Sequence, residues 1–250
     1  MKKVKDLFSG HSDIYRKYRP AYPRALYKTL LENTPGRSRC WDCATGNGQV
    51  ALALSASFEE VCATDISENQ LKQAPKRKNI IYSVQRAEQT NFQPRTFDLI
   101  TVGQAVHWFD LQAFFTEVIR VACPGGVLAL WGYGLLHFND DAINSALNHF
   151  YHVVVGPYWD GERRHIDSAY ATIPFPFREI VQMDGIQIDK PMVLEELQGY
   201  LTSWSSVQNY IKTHNSNPVI PLINSLEGRW AAGQTKTAMF PIFGKIGKII

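Results

Sequence analysis

The chain has 250 residues, 45% of them hydrophobic and 20% charged, with a formal net charge of +3, which suits one large domain or a domain with a modest appendage. So small and dispersed a charge argues against nucleic acid or an anionic membrane surface as a partner. No apolar run approaches the ~20 residues of a membrane-spanning helix, Lys2, Lys3 and Lys5 read as a solvated tail with no apolar h-region after them, and four cysteines without framework spacing suit a reducing cytoplasm.

Residues 1–37 form an approach segment. Pro20 and Pro23 push the residues before them toward extended geometry, and Pro23 sits where a helix striped by Leu26, Leu30 and Leu31 can begin. From 38 to 133 short apolar runs alternate with helical patterns. "SRCWDC" reads as a strand and "GQVALALSAS" as a helix; "EVCATD" is a strand and "SENQLKQA" a helix capped by Ser67. "NIIYSVQ" and "FDLITVGQAV" are strands, "LQAFFTEVIRVA" is an amphipathic helix, and "PGG" turns into the strand "VLALWGY". That rhythm predicts a parallel sheet covered by helices on both faces. After Tyr133 the rhythm changes. "FREIVQMDGIQI" and "TKTAMFPIFGKIGKI" read as two late strands of the same sheet, and the helical stretches around them, with residues 134–177, as a cap. The organisation expected is an approach segment over 1–37, a ligand-binding core over 38–133, and the last strands with a cap over 134–250, all in one domain.

Residues 38–50, "SRCWDCATGNGQV", hold two overlapping signatures. "CWDC" has the spacing of a redox dithiol or half a zinc site. No second ligand pair follows, however, and residues three apart on a strand point to opposite faces, so Cys40 and Cys43 read as buried small hydrophobes and no metal is expected. "GNGQVA" matches the dinucleotide pattern G-x-G-x-x-G/A, with Gly46 and Gly48 between strand and helix. Asp65 ends the next strand 19 residues after Gly46, where a carboxylate can hold ribose hydroxyls. Asp42 lies four residues before Gly46 and would repel a pyrophosphate. It favours a ligand that is cationic nearby, such as S-adenosylmethionine (SAM), over NAD or FAD.

With these residues in view, the chain resembles the class I SAM-dependent methyltransferases, nearest to the trans-aconitate and methyltransferase type 11 small-molecule group. "WDCATGNG", "ATDISENQL", "QRAEQTNF", "FDLITVGQAVHWFD" and "PGGVLAL" are similar to the family's motifs in order, and "YRKYRPAYP" and "YLTSW" to its N-terminal and C-terminal helical regions. The resemblance implies a Rossmann-like, doubly wound, seven-stranded α/β sheet, mostly parallel with the last strand antiparallel, under a helical cap. It implies SAM as cofactor, S-adenosylhomocysteine as product and a small-molecule methyl acceptor. Asp42, Gly46 and Gly48 would surround the methionine portion, with Ala44 standing where the family usually has glycine. Asp65 would take the ribose, Ile66 the adenine face, and Ala87 and Glu88 the adenine edge; Arg86 stands where an acid often reads the adenine amine. Gln104 would lie near the sulfonium, and Tyr15, Tyr18 and Arg19 would fold over the site as a lid.

Methyl transfer from a sulfonium asks for alignment, exclusion of water and, for a neutral nucleophile, a base. His107 follows the fourth strand with Trp108, where it can take a proton or hydrogen-bond a carboxylate. Tyr133, Tyr158, Trp159, Arg163 and Trp204 are further candidates to line the acceptor site, the arginine suiting an acidic molecule. The competing readings are an NAD(P)-dependent oxidoreductase and a SAM-binding module without turnover.

Overall fold

A computed structural model describes Tyr18 and residues 20–183, 185–231 and 233–249. Strands β1 (Arg39–Cys43), β2 (Glu60–Asp65), β3 (Ile80–Val84), β4 (Phe97–Gly103) and β5 (Ala122–Tyr133) lie parallel in the order 3-2-1-4-5. The order reverses between β1 and β4, which opens a crevice at their C-terminal ends. Helices α1 (Arg24–Asn33) and α2 (Gln49–Leu54) cover one face. There Leu26, Leu30, Val50, Ala51 and Leu54 pack with Cys40, Leu99 and Trp131. Helix α3 (Glu68–Lys72) starts at Ser67, whose hydroxyl accepts the Gln70 N–H. Helix α4 (Leu111–Val121) covers the other face, its Phe114, Val118 and Val121 meeting Trp41, Cys43, Ile100 and Leu128.

The thiols of Cys40 and Cys43 thus belong to opposite layers, as strand alternation requires, and all four cysteines are unpaired. Some boundaries differ from the sequence reading, and β5 already begins at Ala122, taking in the "PGG" expected as a turn before it. The fourth strand stops at Gly103 because Gln104 turns the chain with φ 56°, and a 3-10 turn follows over Val106–Trp108. The stretch read as one strand over 177–188 is two, β6 (Arg178–Gln182) and β7 (Gln187–Met192), since Gly185 at φ 76° turns the chain between them. Strand β8 (Lys236–Lys248) has 13 residues, enough to pair antiparallel with β7 through its first half and with both β5 and β6 through its second. Among the described residues the sheet therefore has eight strands, in the order β3-β2-β1-β4-β5-β8-β6 with β7 beside β8.

The cap comes from two insertions. Between β5 and β6 lie α5 (Asp141–His149), a π-helical turn at Phe150–Val154, 3-10 turns at Gly156–Tyr158 and Gly161–Arg163, and α6 (Arg164–Asp167). Between β7 and β8 lie α7 (Leu194–Thr202), α8 (Ser205–His214) and α9 (Val219–Leu226). Among the described residues no helix is long and apolar enough to cross a membrane.

Candidate active site

The turn after β1 is built from left-handed residues: Ala44 has φ 53°, Gly46 φ 57° and Gly48 φ 79°. Ala44 occupies a conformation that glycine adopts without strain, at a cost of about 1–2 kcal/mol. A Cβ on Gly48 would stand 2.6 Å from the Tyr82 hydroxyl, whereas one on Gly46 would meet nothing within 4 Å. Space therefore opens over Gly46. Beneath the turn Asp42 is 1% exposed. Its Oδ2 accepts the Ala51 N–H at 3.0 Å and the Thr45 hydroxyl, and its Oδ1 accepts the Thr101 hydroxyl at 2.9 Å. Burial pushes its pKa up from 3.8 to about 6, against the pull of these three hydrogen bonds. Asp65 accepts the N–H of Gly46 and that of Ser67, each at 2.8 Å, so it ties the turn to the end of β2.

Beyond the end of β4 a cavity gathers seven of the residues singled out in the sequence. Gln104, His107 and Trp108 come from the loop after β4, Tyr133 from the end of β5, Trp159 and Arg163 from the cap's 3-10 turns, and Trp204 from the α7–α8 junction. Gln104 is locked, its Oε1 accepting the Tyr133 N–H at 2.8 Å and its own N–H donating to the Trp131 carbonyl at 2.7 Å. His107 is 7% exposed, and its Nδ1 lies 3.2 Å from the Tyr170 hydroxyl. Tyr151, Trp159 and Trp204 form an aromatic wall with ring centres 5.2 to 5.7 Å apart. The Arg163 guanidinium lies 4.4 Å above the Trp159 ring centre and 5.2 Å from that of Tyr151. Its Nε donates to the Tyr151 hydroxyl at 2.6 Å, and that hydroxyl donates to Asp167 at 2.5 Å. Only Nε is so engaged: among the described residues the two Nη groups have no acceptor. The Trp159 Nε1–H is likewise buried and without a partner among them.

The chain's residues 41–130 match the methyltransferase domain family. A protein of Dictyostelium discoideum named as a methyltransferase is 34% identical over 224 residues, covering 88% of this chain and 84% of its own. A methyltransferase of Aspergillus candidus is 30% identical over 71% of this chain and 65% of its own length. A solved structure described as a type II methyltransferase from Anaeromyxobacter dehalogenans superposes with a TM-score of 0.86 at 35% identity, covering 93% of this chain and 99% of that one. The chain belongs to the class I SAM-dependent methyltransferases.

The cofactor of such a methyltransferase is SAM, and the residues present fit it. The clear space over Gly46 admits a close ligand, Ile66 beside Asp65 is 40% exposed although apolar, and the buried Asp42 nearby is an acid. Ala87 is buried against the α4 face of the sheet. Glu88 is engaged within the fold: its Oε1 accepts the Asp110 N–H at 3.1 Å and its Oε2 faces Arg86 Nε at 3.4 Å.

Two expectations meet a different arrangement. Tyr158 does not line the cavity of this methyltransferase; its hydroxyl meets His214 Nε2 at 2.5 Å and its ring packs on Tyr210 of α8. A residue at the end of a 3-10 turn points away from the next one, so Trp159 faces inward and Tyr158 does not. Tyr18 lies on α7 against Gly199, its carbonyl accepting Lys190 Nζ at 2.7 Å. Tyr15 and Arg19 lie outside the described residues. Asp160, Tyr200 and Ser205 line the cavity without having been singled out, although Asp160 follows Trp159 directly and the other two lie in or beside the quoted stretch "YLTSW".

Proposed function

We propose that this methyltransferase carries the methyl group of SAM to a small-molecule carboxylic acid, in the cytoplasm. The observation that carries the reading is the pairing of two unspent donors in one wall, the Arg163 Nη groups and the buried Trp159 Nε1–H. A buried donor without a partner costs about 1–3 kcal/mol, which an acceptor oxygen on a substrate recovers. A guanidinium fork whose Nε is already anchored suits the two oxygens of a carboxylate. The aromatic wall limits the acceptor to a small, partly apolar molecule and excludes water from the reacting atoms.

Bound SAM supplies an electrophilic methyl on a sulfonium. On this reading Asp65 holds the ribose hydroxyls, Ile66 packs on the adenine, Ala87 and the Glu88 backbone meet its edge, and the open face of Gly46 admits the methionine portion. Asp42, saturated by Thr45, Ala51 and Thr101, acts on the cofactor's cationic end through its field. Gln104 fixes the boundary between cofactor and acceptor. The test is turnover of methyl-labelled SAM with a panel of small acids, phenols and amines. Label found in esters of acids supports the reading. Label found only in phenol or amine products removes it.

A further inference from the structure

We infer that Tyr170 is a positioning residue that holds His107 with its ring proton on Nε2, so that His107 meets the acceptor as a hydrogen-bond donor and not as a base. The inference rests on the acid-methyltransferase reading for its consequence, but not for its geometry.

Tyr170 is 0% exposed and sits after α6, edge-on to Phe243 with ring centres 5.1 Å apart. Among the described residues its hydroxyl has one partner, His107 Nδ1 at 3.2 Å. A phenol has a single O–H to donate, and a neutral imidazole has one nitrogen that donates and one that accepts. If Nδ1 carried the proton, it would donate to the phenol oxygen and leave the phenol's own O–H buried without an acceptor. If the phenol donates to Nδ1, both groups are satisfied and the ring proton sits on Nε2. Leaving such a donor unsatisfied inside a protein disfavours the first arrangement by about tenfold or more. Burial also pushes the Tyr170 phenol far above its ordinary pKa, so it remains a donor at any working pH.

The backbone points the same way. Ala169 and Tyr170 follow one another at φ 49° and 62°, both left-handed and neither a glycine. Such residues persist where the surrounding fold enforces them, and they concentrate at functional sites. Here the pair swings the Tyr170 ring beneath the loop after β4 that carries His107.

The consequence concerns the acceptor. An alcohol, phenol or amine needs a group that takes its proton, and a histidine protonated on Nε2 offers none there. A carboxylate needs only a donor. Its oxygen lone pair forms the new O–CH3 bond as the S–CH3 bond breaks, and that bonding pair stays on sulfur. The anion and the sulfonium become a neutral methyl ester and a thioether, and no proton is released.

The experiment uses the full chain saturated with S-adenosylhomocysteine and labelled with 15N-histidine. The His107 ring is expected to show a protonated Nε2 and a bare Nδ1 by NMR, and Tyr170→Phe to populate the other tautomer. A wild-type ring protonated on Nδ1 overturns the inference. Kinetics with an acid that is turned over give a second readout. His107→Gln keeps an N–H near the Nε2 position but no base, and should lower kcat by no more than about tenfold, against about 100-fold for His107→Leu. A fall as deep in Gln as in Leu, with S-adenosylhomocysteine affinity intact, refutes the donor role. If no acid is methylated, the carboxylic-acid reading alone fails, because the tautomer is measured without any acceptor.

Discussion

Thr101 donates its hydroxyl to the buried carboxylate of Asp42 at 2.9 Å, joining β4 to β1 beneath the glycine turn. The folded pKa of that carboxylate, about 6, stands above its ordinary value of 3.8 because burial disfavours the charged form. The sign follows from linkage: Asp42 adds stability below about pH 4, and that gain is lost as the pH rises through about 6, on the order of 3 kcal/mol for a two-unit shift. A cation bound beside it reverses the preference, so SAM affinity should rise with pH between 5 and 7. Calorimetry at pH 5, 6 and 7 checks this against Asp42→Asn, which should bind more weakly and lack that pH dependence. Equal slopes in the two proteins would remove Asp42 from cofactor binding.

Gly46 separates the cost of folding from the cost of binding. A methyl there meets no atom of the protein within 4 Å, and the only strain is its φ of 57°. Gly46→Ala should therefore cost about 1 kcal/mol in urea unfolding and yet weaken SAM at least tenfold, because the methyl fills the space a ligand needs. A dissociation constant within twofold of wild type would mean that the cofactor does not approach this turn.

Trp159→Phe tests the acceptor wall. The change removes the partnerless Nε1–H and keeps an aromatic ring under Arg163. Deleting an unsatisfied donor and losing part of the indole's packing each amount to about 1 kcal/mol with opposite sign, so Tm should move by no more than about 3 °C. If the N–H meets a carboxylate, KM for the acid should rise about tenfold or more. An unchanged KM would show that the substrate lies elsewhere in the cavity.

These three residues were not equally legible. Asp42 and Gly46 were readable because the spacing of an acid and two glycines between a strand and a helix has few physical explanations, and strand alternation correctly separated Cys40 from Cys43. Trp159 and Arg163 were readable as apolar surface beside a guanidinium and Trp204 as part of a family-like stretch, but Tyr158 fell to the same chemical argument, because composition does not say which way a short turn faces. Tyr170 carried no signal: its position depends on two left-handed residues, Ala169 and Tyr170, that no propensity favours there. The break between β6 and β7 turns on Gly185, one glycine in a run that otherwise reads as a single strand.

The seat of Tyr18 gives the last prediction. The Tyr18 ring lies so close to Gly199 in the middle of α7 that an alanine methyl there would overlap it, while Lys190 Nζ holds the Tyr18 carbonyl at 2.7 Å. Glycine is a poor helix former, so its presence mid-helix costs roughly 1 kcal/mol that only a close neighbour explains. Gly199→Ala should strengthen α7 itself and displace Tyr18. Cleavage by a low concentration of protease near Tyr18 should become several-fold faster, while the urea midpoint of the main transition changes little. Gly199→Ala combined with Tyr18→Ala should lose the clash and regain the helix propensity, ending more stable than Tyr18→Ala alone. If the single variant is cleaved no faster than wild type, the glycine is not what seats Tyr18.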